Sequence, residues 1–318
     1  MKKLIISGES FSDPFSLSYD PVVKKEEKDG KIISTLETKF PLWPTILGEK
    51  LGMETINLAM AGVGNEHHYS VLLDALVTEK DIGLMIVMWS GVQRLDFELE
   101  TAYNNEDKIL HDQGKLESNH HFFEWEAVHC RQNLRFRRYP DQSQVSKALS
   151  SNATDQGWKD TIRETLKNKG LFTERMRVKK SLRLFYTFQQ IMKQENIDYF
   201  QLGTLYPYPS LWPEPELDSS YGTGHQEMVE TILDSDYYDV MDEETFLGWP
   251  MVTELGGFDA DKILAKHDPT RKTNRVDGDV RSDRPEGWIT DVHPNKLGHE
   301  QIADFLYDEY RKVYAKTN

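Results

Sequence analysis

The chain has a single cysteine, Cys130, among its 318 residues. One cysteine excludes an intramolecular disulfide and a zinc site built from several thiolates, and it fits a reducing compartment without excluding export. The fold must therefore depend on burial of apolar side chains. Hydrophobic residues make up 38% of the chain and aromatic residues 11%, which is typical of a protein with a core rather than of a disordered chain.

Basic residues are scarce relative to acidic ones. The chain has 38 Lys and Arg against 53 Asp and Glu, for a formal net charge of -15. A surface with this charge repels phosphate backbones, so we expect no nucleic-acid partner. The small basic cluster between Arg131 and Arg138 is interpreted as a solvated or salt-bridged face.

No segment approaches the ~20 apolar residues of a membrane-spanning helix, and the amino terminus lacks the long apolar region of a signal peptide. We therefore expect a cytoplasmic or otherwise soluble protein without a membrane span. The adjacent histidines His67-His68 and His120-His121 do not face the same way on a helix, and no HExxH motif occurs. We expect no metal site and no other cofactor.

Short apolar strands alternate with amphipathic helices along the chain. The predicted strands are 3–7, 55–59, 82–89 and 198–205. The predicted helices are 43–51, ended by Gly52, and then 68–78, 181–194 and 296–314. This alternation predicts one domain over residues 1–318, a three-layer α/β/α sandwich with a mostly parallel sheet. Two insertions are expected at about 95–178, mostly helical, and about 206–287, more irregular.

A serine follows the first predicted strand, in the run Gly8-Glu9-Ser10-Phe11-Ser12. Open α/β sheets bind their ligands at the carboxyl ends of strands, and the free N–H groups of a following helix would point at the same place. Ser10 is therefore a candidate nucleophile. The structural alternative is that Ser10 or Ser12 caps a helix.

A second candidate segment, Asp291-Val292-His293-Pro294-Asn295, precedes the last predicted helix. Histidine is the usual general base near neutral pH, and an aspartate two residues earlier can orient the ring. Proline suits the first turn of the helix that follows. Asp291 and His293 are thus candidate catalytic residues, and the structural alternative is a capped helix with a surface histidine.

A third candidate segment, 57–65, follows the second predicted strand and contains Gly62, Gly64 and Asn65. Glycine lets the backbone approach a ligand closely. The Gly62 N–H and the Asn65 side-chain amide are both able to donate to a developing oxyanion. The structural alternative is an ordinary strand-to-helix turn capped by Asn65.

In their order and placement, these three segments resemble the motifs of the SGNH/GDSL hydrolases. GESFS resembles the block that holds the nucleophile, NLAMAG the block whose glycine binds the oxyanion, and DVHPN the block with Asp and His. The resemblance implies an SGNH-hydrolase, flavodoxin-like fold. It also implies a triad of Ser10, Asp291 and His293. The backbone N–H groups of Ser10 and Gly62, with the Asn65 amide, would hold the oxyanion.

Two features depart from the usual family pattern. The family commonly has Gly-x-Asn-Asp after the third strand, where residues 89–94 read WSGVQR, and Asp291 lies two residues before the histidine rather than three. The chain looks closer to a branch with G-x-x-N, W-S/T-x-x-x-R and D-x-H-P motifs. In that branch Asn65 would replace the missing donor, and Gln93 is the alternative.

The resemblance implies a serine esterase that acts on a small-molecule or glycan ester. O-acylated carbohydrates are a frequent substrate class in the family, with lipid or simple esters next. Two alternatives stay open at this point. One is an O-acyltransferase, in which a sugar hydroxyl replaces water. The other is a non-catalytic binding or structural protein with the same fold, and the altered third motif supports it. The oligomeric state does not follow from the sequence.

Overall fold

The computed structural model describes residues 1–14, 16, 19, 22–28, 31–92, 94–98, 116–118, 125–129, 162, 165–166, 168–171, 173–204, 220–269, 273–276 and 293–315. The strands in these ranges are β1 (Lys3–Ser7), β2 (Val22–Lys28), β3 (Lys31–Glu37), β4 (Glu54–Asn57), β5 (Ile82–Trp89), β6 (Arg94–Glu98), β7 (Leu116–Ser118), β8 (Trp125–His129), β9 (Tyr199–Gly203) and β10 (Phe246–Leu247). The α-helices are α1 (Trp43–Leu51), α2 (Asn65–Thr78), α3 (Glu174–Glu195), α4 (Ser220–Leu233), α5 (Ala260–His267) and α6 (Lys296–Val313).

Five strands form a central sheet in the order β10-β9-β5-β1-β4, and every pair in it is parallel. Numbered as the chain visits them, these strands run 2-1-3-4-5, which is the flavodoxin-like doubly wound order. The direction of winding reverses at β1. The carboxyl ends of β1 and β5 therefore border a topological switch point, where open α/β sheets bind their ligands.

Side chains of the central strands alternate between two apolar cores. Ile5, Met85 and Val87 face a core that they share with α2, α3 and α4. Leu4 and Ile86 face the other core, which they share with α1, α5 and α6. Helices thus cover both faces of the sheet, as predicted. Burial on both faces explains why β1 and β5 are continuous apolar runs rather than alternating ones.

The predicted strands 3–7 and 82–89 and the predicted helix 43–51 match β1, β5 and α1. Gly52 ends α1, as predicted, and its backbone is in the left-handed conformation. Helix α2 begins earlier than predicted, at Asn65, and α3 spans Glu174–Glu195 rather than 181–194. The longer α3 begins at Thr173, whose side chain accepts a hydrogen bond from the Met176 N–H.

The segments predicted as insertions contain regular structure. Within 95–178, the described residues include strands β7 and β8 and the start of α3. Strand β8 pairs antiparallel with β6. Within 206–287, the described residues form α4, β10 and α5, and β10 extends the central sheet by pairing with β9. The second insertion is therefore more regular than expected. Other parts of both insertions lie outside the described residues.

The hairpin of β2 and β3 pairs with β7 in a separate three-stranded sheet, which was not predicted. Among the described residues, no helix has the length and apolar character needed to cross a membrane.

His299 of α6 is buried beneath the amino terminus of α1. Its Nδ1 accepts a hydrogen bond from the Trp43 backbone N–H at 3.2 Å, and its ring packs against that of Tyr19 with centroids 4.9 Å apart. An acceptor at Nδ1 requires the proton of the neutral ring to be on Nε2. Burial, with His293 nearby, lowers the pKa of His299 to about 3.

We expect acid to destabilise the fold through His299. Its pKa is near 6.5 in the unfolded chain but about 3 in the folded protein. At pH values between these two pKa values, the unfolded state binds more protons than the folded state. The free energy of unfolding therefore falls as the pH drops below about 6.5. The slope expected from one such group is about 1.4 kcal/mol per pH unit. His299→Gln should remove about this slope from the free energy of unfolding, measured by urea denaturation at several pH values.

His267→Gln, at an exposed position of α5, is the matched control and should leave the slope unchanged. A His299→Gln variant with the wild-type slope would show that His299 is not buried as a neutral ring.

Candidate functional site

The turn after β1 buries Ser12 and leaves Ser10 half-exposed. The Ser12 hydroxyl accepts a hydrogen bond from the Trp43 indole N–H at 3.1 Å. The Glu9 carbonyl closes the turn by accepting from the N–H groups of Ser12 at 2.8 Å and Asp13 at 3.0 Å. No α-helix begins here within the described residues, so neither serine is a helix cap. Ser10 is the serine of this turn that a ligand is able to reach.

The turn after β4 carries Gly62 and is tied to the Ser10 turn. Gly62 is exposed and has a φ of 86°, a conformation that glycine adopts without steric cost. The N–H of Ala61 donates to Asp13 Oδ2 at 2.7 Å, and Asn57 Nδ2 donates to the Ser12 carbonyl at 2.7 Å. The structure thus brings the turns that carry Ser10 and Gly62 together.

Asn65 is the first residue of α2 rather than its cap. The cap position is Gly64, and the carboxylate of Asp96 accepts from the N–H groups of Gly64 at 2.5 Å and His67 at 3.1 Å. Burial raises the pKa of Asp96. A Cβ on residue 64 would lie 2.8 Å from Asp96 Oδ2, so this approach requires glycine. The buried Asn65 amide donates to Ser181 Oγ at 3.0 Å. Its assignment as oxyanion donor stays a prediction.

His293 lies just before α6, and its ring approaches the Ser10 turn. Its centroid is 5.6 Å from that of Phe11, the residue that follows Ser10, and 6.1 Å from that of Tyr19. The side chain is half-buried rather than fully exposed. Two candidate segments from opposite ends of the chain therefore meet beside the switch point.

Residues 273–276 hold the backbone around His293. The Val276 N–H donates to the His293 carbonyl at 2.9 Å, and Asn295 Nδ2 donates to the Arg275 carbonyl at 2.9 Å. Asn295 also caps α6, so the predicted helix cap exists next to the candidate base. Arg275 is buried and forms an ion pair with Asp261 of α5. Asp291 and Gln93 lie outside the described residues.

A buried polar cluster at the switch point was not predicted. It consists of Glu9, which forms an ion pair with Arg94, and of His68, whose Nδ1 lies 3.0 Å from Ser7 Oγ and whose Nε2 lies 2.9 Å from Ser90 Oγ. Burial holds the pKa of His68 well below its ordinary value, so the ring is neutral. Ser90 and Arg94 belong to the W-S-x-x-x-R pattern, but the sequence pattern predicted no role for either residue.

An apolar pocket adjoins this cluster at the carboxyl ends of β5 and β9, beneath α3 and α4. Its apolar walls are Trp89, Val92, Val178, Leu182, Phe185, Met228, Ile232, Met251 and Val252. Ser90 belongs to both the pocket and the polar cluster. Ser181 and Asp259 add polar groups to the lining.

No protein-family model and no curated protein sequence matches the chain. The switch point thus has a half-exposed serine, Ser10, a glycine turn at Gly62, and the ring of His293, which contacts Phe11 of the serine turn. A hydroxyl, an imidazole and backbone N–H donors are the groups that nucleophilic acyl transfer uses.

Proposed function

We propose that the protein is a serine esterase of the SGNH/GDSL type, with Ser10 as nucleophile and His293 as general base. One observation carries the proposal. The turn after β1 and the ring of His293 come together at the switch point, where the Phe11 and His293 ring centroids are 5.6 Å apart. In this turn Ser10 is half-exposed, whereas Ser12 is buried.

In the proposed reaction, His293 takes the Ser10 hydroxyl proton while Oγ bonds to the ester carbonyl carbon. Collapse of the tetrahedral intermediate breaks the bond to the alcohol oxygen, and His293 gives that oxygen its proton. Water then attacks the acyl-enzyme, His293 again accepts and returns a proton, and the acid leaves. Asp291 would orient the imidazole and stabilise its cationic form.

The backbone N–H groups of Ser10 and Gly62 are the proposed main oxyanion donors. Asn65 is the proposed third donor, because its Nδ2 has two N–H bonds and the contact with Ser181 uses one of them. The proposed substrate is a neutral ester, with O-acylated carbohydrate as the first class to examine. A chain of net charge -15 favours neutral over anionic substrates.

Ser10→Ala should reduce turnover of p-nitrophenyl acetate by about 10³-fold or more while the melting temperature stays unchanged, because its hydroxyl acts only in the chemistry. Ser12→Ala is the matched control. It should melt earlier, since the Trp43 indole N–H loses its acceptor, and it should still turn over. Activity retained in Ser10→Ala would exclude this nucleophile. No turnover by the wild type on simple esters and acylated glycans would favour the non-catalytic alternative.

Asn65→Ala should lower kcat on the order of 10²-fold with KM little changed, as expected for loss of an oxyanion donor. Ser181→Ala removes the partner of the same amide but leaves the amide in place, so its kcat should fall much less. Steady-state kinetics and melting temperatures of both variants provide the comparison. If the two variants melt earlier to the same extent and both turn over normally, Asn65 has only a structural role.

A further inference from the structure

One side chain, Arg94 of β6, contacts all three turns that border the switch point. It forms an ion pair with Glu9 in the turn after β1. Its Nη1 donates to the Val63 carbonyl in the turn after β4, at 2.6 Å, and to the Ser90 hydroxyl after β5, at 3.2 Å. Glu9 directly precedes Ser10, and Val63 directly follows Gly62.

We propose that Arg94 is a positioning residue, which fixes the Ser10 turn relative to the Gly62 turn through its contacts with Glu9 and Val63. The proposal rests on the esterase function proposed above and identifies what sets the geometry of its site. Arg94 acts through its neighbours and is not assigned a contact with substrate.

Backbone hydrogen bonds join the two turns at their starts. The pairing of β1 with β4 reaches Ile6 and Asn57, and the Met60 N–H donates to the Gly8 carbonyl at 2.9 Å. Further along the turns the contacts are made by side chains, because Asp13 accepts from the Ala61 N–H and Asn57 Nδ2 donates to the Ser12 carbonyl. Arg94 provides the connection on the side of β5.

The chemistry of the contacts suits a guanidinium in particular. Glu9 is only 1% exposed, and a buried carboxylate is costly unless it is paired. A guanidinium presents several N–H donors in a fixed plane, so it serves the carboxylate, a carbonyl and a hydroxyl together. A lysine ammonium has the same charge without this planar arrangement.

Further hydrogen bonds connect Arg94 to Ser90, His68 and Ser7. Ser90 Oγ lies 2.9 Å from the Val63 carbonyl and 2.9 Å from His68 Nε2. If the Ser90 hydroxyl donates its one proton to the Val63 carbonyl, its oxygen accepts from Arg94 and from His68. His68 therefore carries its proton on Nε2. The Ser7 hydroxyl then donates to His68 Nδ1. Arg94, Ser90 and His68 thus form one connected network behind the two turns.

The test compares Arg94→Lys with Arg177→Lys. Arg177 forms another buried ion pair, with Glu174 of the same helix, α3, so the control replaces the guanidinium of an ion pair that does not include Glu9. Both variants should melt earlier than the wild type. Arg94→Lys alone should lower kcat for p-nitrophenyl acetate, on the order of 10–100-fold, with KM within about two-fold, because a small displacement of reacting groups costs this much.

Hydrogen–deuterium exchange gives a readout that does not depend on activity. In Arg94→Lys, backbone N–H groups of both turns, residues 8–13 and 59–65, should exchange faster than in the wild type, and in Arg177→Lys they should not. Wild-type exchange in these turns, or an unchanged kcat despite faster exchange, would overturn the positioning role.

A third outcome is faster exchange in both turns of Arg94→Lys but no ester turnover by the wild type. It would support the role of Arg94 in holding the two turns together and would refute the esterase proposal. If Arg94→Lys does not fold, Glu9→Gln replaces it. This change keeps the shape of the side chain and removes the charge opposite Arg94, so it should give the same pattern to a smaller degree. Wild-type kcat and exchange in Glu9→Gln would likewise overturn the inference.

Discussion

Burial of the central sheet on both faces is the constraint on which the rest of the structure depends. Side chains of β1 and β5 alternate between two apolar cores, where an unpaired polar group would be costly. The accessible polar groups of the candidate site therefore lie at the carboxyl ends of the strands. The strand order places the turns after β4, β1 and β5 side by side. The turns that carry Ser10 and Gly62 meet there for this reason, and Arg94 contacts both turns.

The sequence predicted the elements whose signals are local. Strand β5 is predicted by its continuous apolar run. Helix α1 is predicted by the spacing of its apolar residues and by Gly52 at its end. The start of α2 was missed because Asp96, from a strand later in the chain, supplies the cap. β10 has only two residues, too few for any periodicity. The hairpin of β2 and β3 has a local signal, because Asp29-Gly30 is a dipeptide typical of tight hairpin turns.

The same distinction applies to the candidate site. Ser10, Gly62 and His293 were proposed as site residues from motifs, and the described structure brings their segments together. The network of Glu9, His68 and Arg94 was not identified, because its members come from different elements and become partners only through the sheet topology. A buried ion pair next to a proposed nucleophile is a tertiary feature that no spacing rule reveals.

Reaction with an alkyl fluorophosphonate, which phosphonylates activated serines, tests the central claim most directly. The account predicts one covalent adduct per chain, measured by intact mass, and peptide mapping should locate it on Ser10. It also predicts that denatured protein is not labelled, because the activation of Ser10 depends on the folded site. Absence of an adduct on the folded protein, or an adduct on any other serine, would contradict the account.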